Sequence, residues 1–326
     1  MLEYAVKKRV VGVDISIEAT TFAIVDVRGN VIAKSSFPTT DHPDLSEFVS
    51  FLSEQLIELM EENGGYDTIR SVGVGVTSGN FVKGCIEHSP CLPWKGEVPM
   101  ASMLRDRLGM AVAVGNNAHV RALGEFTFGS AHGMKDFIVI TLGAGVGSCV
   151  FSNGRPHLGT DGYAGEFGHV CVRPNGRQCG CGSIGCLEAY TAEDGIVRTA
   201  KKLLQESDEP SLMRGVEELN PKLIEDFCEQ GDLMAQEVYS ITGHMLGVSL
   251  ANYASVINPE AIIFTGGISH AGHWLFEPCN EEFEKYLFHN TRGTVRLLTS
   301  VLEDHERDVL GASALAWGIK EYSLFK

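Results

Sequence analysis

The fold is decided by the stretch FIVITLGAGVGSCVFSNG, residues 137–154. Its first six residues are mostly apolar and β-branched, which predicts a buried strand over 137–142. A glycine-rich loop follows at 143–147, then a second strand over 148–151 and a tight turn at 152–154. The stretch therefore predicts strand, loop, strand and turn in direct succession.

The same order of elements is predicted half a chain earlier. An apolar strand over 10–13 is followed by a loop, a strand over 21–27, the turn 28–30 and a third strand at 31–32. Two similar α/β halves that face each other predict a cleft between lobes, a common place for a ligand. Further strands are predicted over 71–76, 111–114, 261–264 and 295–298, and helices over 43–62, 187–204, 233–256 and 308–322.

Length and charge limit the classes of function. The 326 residues are enough for two domains. The net charge of −16 argues against sequence-independent binding to nucleic acid, which needs clustered Lys and Arg. No apolar run is long enough to cross a bilayer, and the first residues lack the features of a signal peptide. We therefore expect a cytoplasmic protein that binds neither nucleic acid nor membranes.

A metal site is predicted near the middle of the chain. Cys179, Cys181 and Cys186 are closely spaced and follow His169. Three thiolates and one imidazole form a tetrahedral ligand set for Zn²⁺, and glycines at 180, 182 and 185 allow tight backbone turns between them. No open coordination position is evident, so the zinc is interpreted as structural. The alternative is a group of free buried cysteines beside an unrelated histidine.

Two carboxylates next to this cluster predict a sugar site. Glu166 lies in the segment Gly-Glu-Phe-Gly-His that ends at His169, and Glu188 follows Cys186. Carboxylates on a rigid loop are strong acceptors for sugar hydroxyls, because an ionised acceptor roughly doubles the strength of a hydrogen bond. Solvated surface acids are the alternative interpretation.

Glycines after two buried strands predict a nucleotide site. Gly143, Gly145 and Gly147 follow one strand, and Gly266 and Gly267 follow another. Backbone amides without neighbouring side chains can hold a phosphate or lie against a nucleotide. Either loop by itself is also typical of an ordinary turn, and only the pair at matching positions favours phosphate binding.

Two asparagines lie between a predicted strand and a predicted helix. Asn116 is expected to cap the helix, and Asn117 is expected to point into the cleft. A capping role alone is the simpler interpretation of the local sequence.

Together these motifs resemble the ROK family, which groups bacterial sugar kinases with sugar-responsive repressors. The most specific match is Gly-Glu-Phe-Gly-His at 165–169 followed by Cys-x-Cys-Gly-x-x-Gly-Cys-x-Glu at 179–188, and the resemblance covers residues 10–317. It implies the duplicated, ribonuclease H-like α/β fold of actin and hexokinase, with two lobes around a central cleft where ATP and sugar meet. The lobes are expected at residues 1–117 with 306–326, and at 118–305.

The resemblance also implies roles for single residues. The sugar would be held by Asn116, Asn117, Glu166, His169 and Glu188. The phosphates of ATP would contact Asp14, Thr141, Gly143, Gly145 and Gly147, and adenosine would contact Gly266 and Gly267. The family further implies structural Zn²⁺ on His169, Cys179, Cys181 and Cys186, ATP with Mg²⁺ in the catalytic members, and a homodimer.

Two departures from the family pattern bear on activity. The first phosphate loop, Asp-x-Gly-Gly-Thr in the family, here reads Asp-Ile-Ser-Ile-Glu over 14–18, so both glycines are missing and Glu18 adds a negative charge. A like charge at 4 Å is unfavourable by roughly 4 kcal/mol at an effective dielectric of 20, although Mg²⁺ between the groups would reverse the sign. The second departure is Asn117, which occupies the position of the family's aspartate base and cannot accept a proton.

Two hypotheses follow from this pattern. The chain is a hexose kinase by ancestry, of the glucose, allose or N-acetylhexosamine type, with weak or lost turnover. Alternatively, it is a non-catalytic sugar sensor that acts through a protein partner. A DNA-binding repressor is not expected, because few residues precede the strand at 10–13 and the chain is acidic. The identity of the sugar stays open.

Overall fold

The computed structural model describes residues 7–319 of the chain. These residues form two compact units. Unit 1 comprises residues 7–133, 158–163 and 301–319, and unit 2 comprises residues 134–157 and 164–300. Within 7–319 no helix is both long and apolar enough to cross a membrane.

The elements of both units follow one another with short connections. In the first part of the chain they are β1 (Arg9–Ile15), β2 (Ala19–Asp26), β3 (Val31–Pro38), α1 (Leu45–Glu62), β4 (Ile69–Val76), β5 (Gly79–Asn80), β6 (Cys85–Glu87), β7 (Glu97–Val98), α2 (Met100–Leu108), β8 (Ala111–Asn116) and α3 (Asn117–Phe128). In the rest they are β9 (Phe137–Leu142), β10 (Val146–Ser152), β11 (Arg155–Pro156), α4 (Glu188–Thr191), α5 (Glu193–Glu206), α6 (Pro221–Glu229), α7 (Leu233–Ile257), β12 (Ala261–Thr265), α8 (His273–Tyr286), β13 (Arg296–Thr299) and α9 (Asp304–Trp317).

Unit 1 is built on a sheet with the order β3-β2-β1-β4-β8. The first three strands pair antiparallel, and β4 and β8 extend the sheet parallel to β1. Helices α1 and α2 bury apolar side chains against one face of this sheet. Helices α3 and α9 cover the other face, where Ser71 donates its hydroxyl to the carbonyl of Ala316 at 2.9 Å. Strands β5, β6 and β7 form a separate small sheet.

Unit 2 repeats this topology. Its sheet has the order β11-β10-β9-β12-β13, with the first three strands antiparallel and the last two parallel to β9. One face of β9 and β12 packs against α5, α6, α7 and α8 in a single apolar core. The two sheets therefore have the same strand order and the same pattern of strand directions, which confirms the predicted duplicated α/β fold.

Most predicted elements are present, and the missed ones have identifiable causes. Helix α2 is short and carries several charges, and α8 contains Pro278, a residue that disfavours a helix interior. The last helix begins at Asp304, earlier than the predicted 308, and residues 320–322 of that prediction lie outside the described residues.

The compact units differ from the predicted lobes at one helix. The sequence places residues 118–128 in the second lobe, whereas α3 as a whole lies in unit 1. The reason is its contact with α9, where Gly124 and Gly311 let the two helix backbones approach closely. Residues 158–163 also belong to unit 1, because Asn80 donates to the carbonyl of Asp161 at 2.9 Å.

Candidate functional site

The predicted zinc ligands of unit 2 lie together. The ligand atoms of His169, Cys179, Cys181 and Cys186 are all within 4.8 Å of one another. The sulfurs of Cys181 and Cys186 are 3.8 Å apart, which is about the separation of two thiolates on a tetrahedral Zn²⁺ with bonds of roughly 2.3 Å. This donor set and spacing fit a structural zinc ion.

The imidazole of His169 presents one nitrogen to this cluster. Its Nδ1 lies 3.9 Å from the sulfur of Cys179, so Nδ1 is the atom that would bind the metal and Nε2 stays available for another partner. Burial raises the pKa of the Cys179 thiol to about 12, whereas the backbone amide of Ser183 is the main cause that lowers the pKa of Cys181 to about 7. Zinc binding would remove the protons from these thiols.

The cysteine loop is fixed to the helices that follow it. Arg177 donates to the carbonyls of Ala189 and Gly195, at 3.1 and 2.8 Å, and its guanidinium stacks over Tyr190. Gly185 has a φ of 79°, and a Cβ there would stand 1.9 Å from the carbonyl oxygen of Arg173. Only glycine fits this position, which agrees with the role predicted for it.

Glu188 joins the cysteine loop to the glycine loop. Its Oε1 lies 3.6 Å from the sulfur of Cys179 and 4.0 Å from Nδ1 of His169. Its Oε2 accepts a hydrogen bond from the backbone amide of Val146 at 2.9 Å. The carboxylate is therefore held in one orientation by contacts on both sides, as a ligand-binding acceptor requires.

Glu166 is held by a different set of contacts. Ser148, on β10, donates its hydroxyl to the carbonyl of Gly165 and accepts from the amide of Phe167. Tyr253 of α7 stacks on the ring of Phe167 and donates to its carbonyl at 2.9 Å. Desolvation is the main cause that raises the pKa of the Glu166 carboxyl, with Glu188 adding to it and His169 opposing it. The sequence gave no signal for Ser148 or Tyr253, because their role depends on packing between distant segments.

The predicted second phosphate loop uses several of its groups internally. Gly143 donates its amide to the carbonyl of Gly145, and the amide of Val146 is taken by Glu188. Thr141 shares a hydrogen bond of 2.9 Å with Thr265 where β9 and β12 end side by side. Gly147 lies within β10.

The two glycines of the other loop differ from each other. A Cβ at Gly266 would stand 2.3 Å from the carbonyl oxygen of Leu142, so this glycine allows β9 and β12 to meet closely. A Cβ at Gly267 would have no neighbour within 4 Å, so packing does not require glycine there.

We predict that Gly145→Ala weakens sugar binding. Its Cβ would stand 2.8 Å from Oε2 of Glu188, so the carboxylate must move away from the Val146 amide. We expect the Kd for sugar, measured by calorimetry, to rise about tenfold, with a stability loss of about 1–3 kcal/mol from overpacking. Gly143→Ala is the matched control, since a Cβ at Gly143 has no neighbour within 4 Å. Equal effects of the two substitutions would contradict this role of Glu188.

The two asparagines of unit 1 have different surroundings. Asn116 is the N-cap of α3, and its side chain accepts from the amide of Ala118 at 2.9 Å. Asn117 is the first residue of α3, and its Oδ1 is buried without a hydrogen-bond partner among the described residues. A buried acceptor of this kind is unfavourable unless a ligand or water supplies the donor.

The predicted first phosphate loop is the turn between β1 and β2. Ser16 closes it, since both its amide and its hydroxyl donate to the carbonyl of Ala19, at 3.1 and 2.8 Å. Ile17 and Glu18 are exposed at the tip of the turn. The turn thus satisfies with its own groups the amide that a glycine loop would offer to phosphate.

An ion pair that sequence reasoning missed lies near Asp14. Arg121 of α3 binds Asp308 of α9 through two hydrogen bonds, of 2.5 and 3.0 Å. Burial and the charge of Asp308 raise the pKa of Asp14 to about 7, and Arg121 opposes this shift. Arg121 follows Asn117 by one helical turn, a spacing that places both on one face of α3. That spacing was the available signal, but the pairing with Asp308 depends on the packing of α9.

We predict that Asp14 makes stability depend on pH. Its folded pKa is about 7, against 3.8 for the model carboxyl. The folded state therefore holds a proton that the unfolded chain has already released, and stability falls as pH rises from about 4 to 7 and then levels off. Between pH 5 and 7 the unfolding free energy of the wild type should fall by about 2 kcal/mol relative to Asp14→Asn, by urea titration. A constant difference between the two proteins would contradict the shifted pKa.

The predicted site residues thus form two sets, one in each unit. Asn116, Asn117 and Asp14 lie in unit 1, and the zinc ligands, Glu166, Glu188 and both glycine loops lie in unit 2. Two copies of the same mixed sheet, each with a strand-turn-strand at its start, define the actin and hexokinase class of α/β fold.

Comparison with known proteins agrees with this class. The pattern of the ROK family matches residues 10–319. The glucokinase of Thermotoga maritima is 32% identical over 315 residues, which cover 95% of this chain and 97% of that protein. The chain belongs to the ROK family.

Both a kinase structure and a repressor are among the relatives. A ROK family glucokinase from Streptomyces griseus, solved in complex with glucose and AMPPNP, superimposes with a TM-score of 0.77 at 29% identity and covers 95% of this chain and 99% of that one. The xylose repressor of Caldicellulosiruptor bescii is 25% identical over 311 residues, or 94% of this chain and 77% of that protein. Ancestry shared with sugar kinases is thus established.

Proposed function

We propose that the protein binds a hexose of the glucose, allose or N-acetylhexosamine type and transfers phosphate from ATP to it slowly or not at all. The sugar hydroxyls are held by Asn116 and Asn117 of unit 1 and by Glu166, His169 and Glu188 of unit 2. The glucokinase relatives and the solved complex with glucose and AMPPNP support the sugar and the nucleotide as ligands.

The observation that carries the proposal is the state of Asn117. Its Oδ1 is buried and lacks a hydrogen-bond donor among the described residues, so a sugar hydroxyl that donates to it would satisfy it. An amide oxygen accepts that hydrogen bond but does not take up the proton. The attacking hydroxyl therefore keeps its proton at the stage when a general base would remove it, which lowers the rate by about 10²- to 10⁴-fold.

The surroundings of Asp14 support slow transfer for a second reason. A pKa near 7 leaves the Asp14 carboxyl about half protonated at neutral pH, so it is a weak ligand for Mg²⁺. The turn at 16–18 keeps the Ser16 amide for itself. Phosphoryl transfer depends mostly on positioning and charge stabilisation, and both are reduced here.

Zinc has a structural role in this proposal. His169, Cys179, Cys181 and Cys186 would hold one Zn²⁺, which fixes the loop that carries Glu166 and Glu188. ATP with Mg²⁺ would contact Asp14, Thr141, Gly143, Gly145, Gly147, Gly266 and Gly267. Solubility in the cytoplasm and a homodimer remain expectations that follow from the family.

Calorimetry and a coupled ADP-release assay test the proposal together. We expect at least one hexose from a panel of glucose, allose, mannose and N-acetylglucosamine to bind with a Kd in the millimolar range or tighter. With the same sugar and MgATP at saturation, turnover should stay below about 1 s⁻¹, the lower end of typical kinases. Turnover at or above that rate would refute the slow-kinase reading, and the absence of binding to every hexose would refute the sugar site.

A non-catalytic sensor is the second candidate. The likeness to a xylose repressor shows that the family includes proteins whose names describe regulation. In that case sugar binding would control contact with a protein partner. Complete absence of phosphorylated sugar after prolonged incubation, together with sugar binding, would favour the sensor over the slow kinase.

A further inference from the structure

A fifth cysteine lies beside the proposed zinc ligands. Cys171 is exposed and follows His169 by two residues, with Val170 between them in extended conformation. In an extended segment, residues two apart point to the same side. Cys171 therefore faces the side on which His169 meets the cysteine cluster.

The backbone pairs Cys171 with the zinc ligand Cys186. The two residues form an antiparallel bridge. The flanking hydrogen bonds run from the amide of Val172 to the carbonyl of Gly185, 2.8 Å, and from the amide of Leu187 to the carbonyl of Val170, 3.0 Å. This pattern defines a non-hydrogen-bonded pair, whose Cα atoms are about 4.5 Å apart with side chains on the same face.

That spacing suits a disulfide. Disulfides join residues whose Cα atoms are about 4.4–6.8 Å apart, so Cys171 and Cys186 can be bridged without backbone movement. The sulfur of Cys171 already lies against this segment, since a Cβ on Gly185 would stand 3.1 Å from it. Cys186 is fully buried, so an oxidant in solution reaches Cys171 first.

We propose that Cys171 and Cys186 form a disulfide when the protein meets a peroxide, and that this bond replaces the bond between Cys186 and zinc. Hydrogen peroxide transfers one oxygen to the sulfur of Cys171, which gives a sulfenic acid and one water. The sulfur of Cys186 then attacks that of Cys171. The S–S bond forms, the hydroxyl leaves and takes a proton from solvent as a second water, and zinc loses one of its four ligands. Two electrons pass from the two sulfurs to the peroxide.

The consequence is reversible loosening of the sugar loop. A zinc ion with three ligands is held weakly, and the loop that carries Glu166 and Glu188 loses its fixed point. A thiol reductant with Zn²⁺ would restore the site. The sequence marks this device only by Cys171, because its pairing with Cys186 depends on how the loop folds back.

The experiment treats the full chain, loaded with one equivalent of Zn²⁺, with hydrogen peroxide. Zinc release is followed with a chromogenic chelator, and disulfides are mapped by mass spectrometry of peptides. We expect a 171–186 disulfide, and zinc release at least tenfold slower in Cys171→Ser than in the wild type. Cys91→Ser, which removes another exposed thiol, is the matched control and should behave as the wild type does.

Several results would overturn the proposal. They are a disulfide between Cys181 and Cys186 as the main product, oxidation of Cys171 to a sulfinic acid without a disulfide, and equal rates of zinc release in Cys171→Ser and the wild type. None of these readouts involves sugar binding or turnover, so failure of the proposed function would leave this test unaffected.

Discussion

Replacement of Asn117 by Asp is expected to raise the rate of ATP-dependent sugar phosphorylation by about 10²- to 10⁴-fold, the usual contribution of a general base. The substitution conserves the shape of the side chain, and residue 117 is already at the start of α3 with its oxygen buried. A carboxylate there also suits the positive end of the helix dipole. The sugar affinity should change little, because both side chains accept a hydrogen bond from the hydroxyl.

The rate gain is measured by initial rates of ADP release at saturating sugar and MgATP. Asn117→Ala is the control, since it removes the acceptor without adding a base, and it should weaken sugar binding and leave turnover at its low level. If Asn117→Asp binds sugar normally yet gains no activity, the missing base is not the main defect. The obstacle would then lie at the 16–18 turn and the Arg121–Asp308 pair.

Local patterns in the sequence were sufficient for the repeated fold. Each half begins with a strand, a short connection and a second strand, and the hydrophobic runs of β1, β4, β9 and β12 are long enough to be recognised as buried. The zinc ligands were recognisable for the same reason, because their spacing is local. The cluster in the structure contains the four residues that the spacing predicts.

The parts that could not be predicted depend on contacts between distant segments. Nothing near Asp14 in the sequence indicates that Arg121 and Asp308 meet beside it, more than a hundred residues further along the chain. The attachment of Glu188 to the Val146 amide is also non-local. Such pairings change the charge and the available donors of a site without leaving a motif, so sequence reasoning placed the right residues but not their hydrogen-bond partners.

Removal of zinc is expected to have the largest effect on stability. Structural Zn²⁺ contributes about 10–16 kcal/mol of apparent binding free energy in small zinc peptides, and the loop at 166–188 is held here by the same kind of ligand set. We expect Cys186→Ser to contain less than one tenth of an equivalent of zinc. Its unfolding free energy should fall by at least about 3 kcal/mol, which lowers Tm by roughly 10 °C.

The sugar site should fail together with the metal, because Glu188 lies two residues after Cys186 and contacts Cys179 through Oε1. Calorimetry should show at least a tenfold rise in the Kd for sugar in Cys186→Ser. The matched control is Cys228→Ser, which changes a buried cysteine of α6 outside the cluster. That variant loses some packing but should keep its zinc and its sugar affinity. If both variants lose the same stability and the wild type carries no zinc, the four ligands are ordinary packed residues, and the rigidity of the Glu166 and Glu188 loop must come from Tyr253, Ser148 and Arg177 alone.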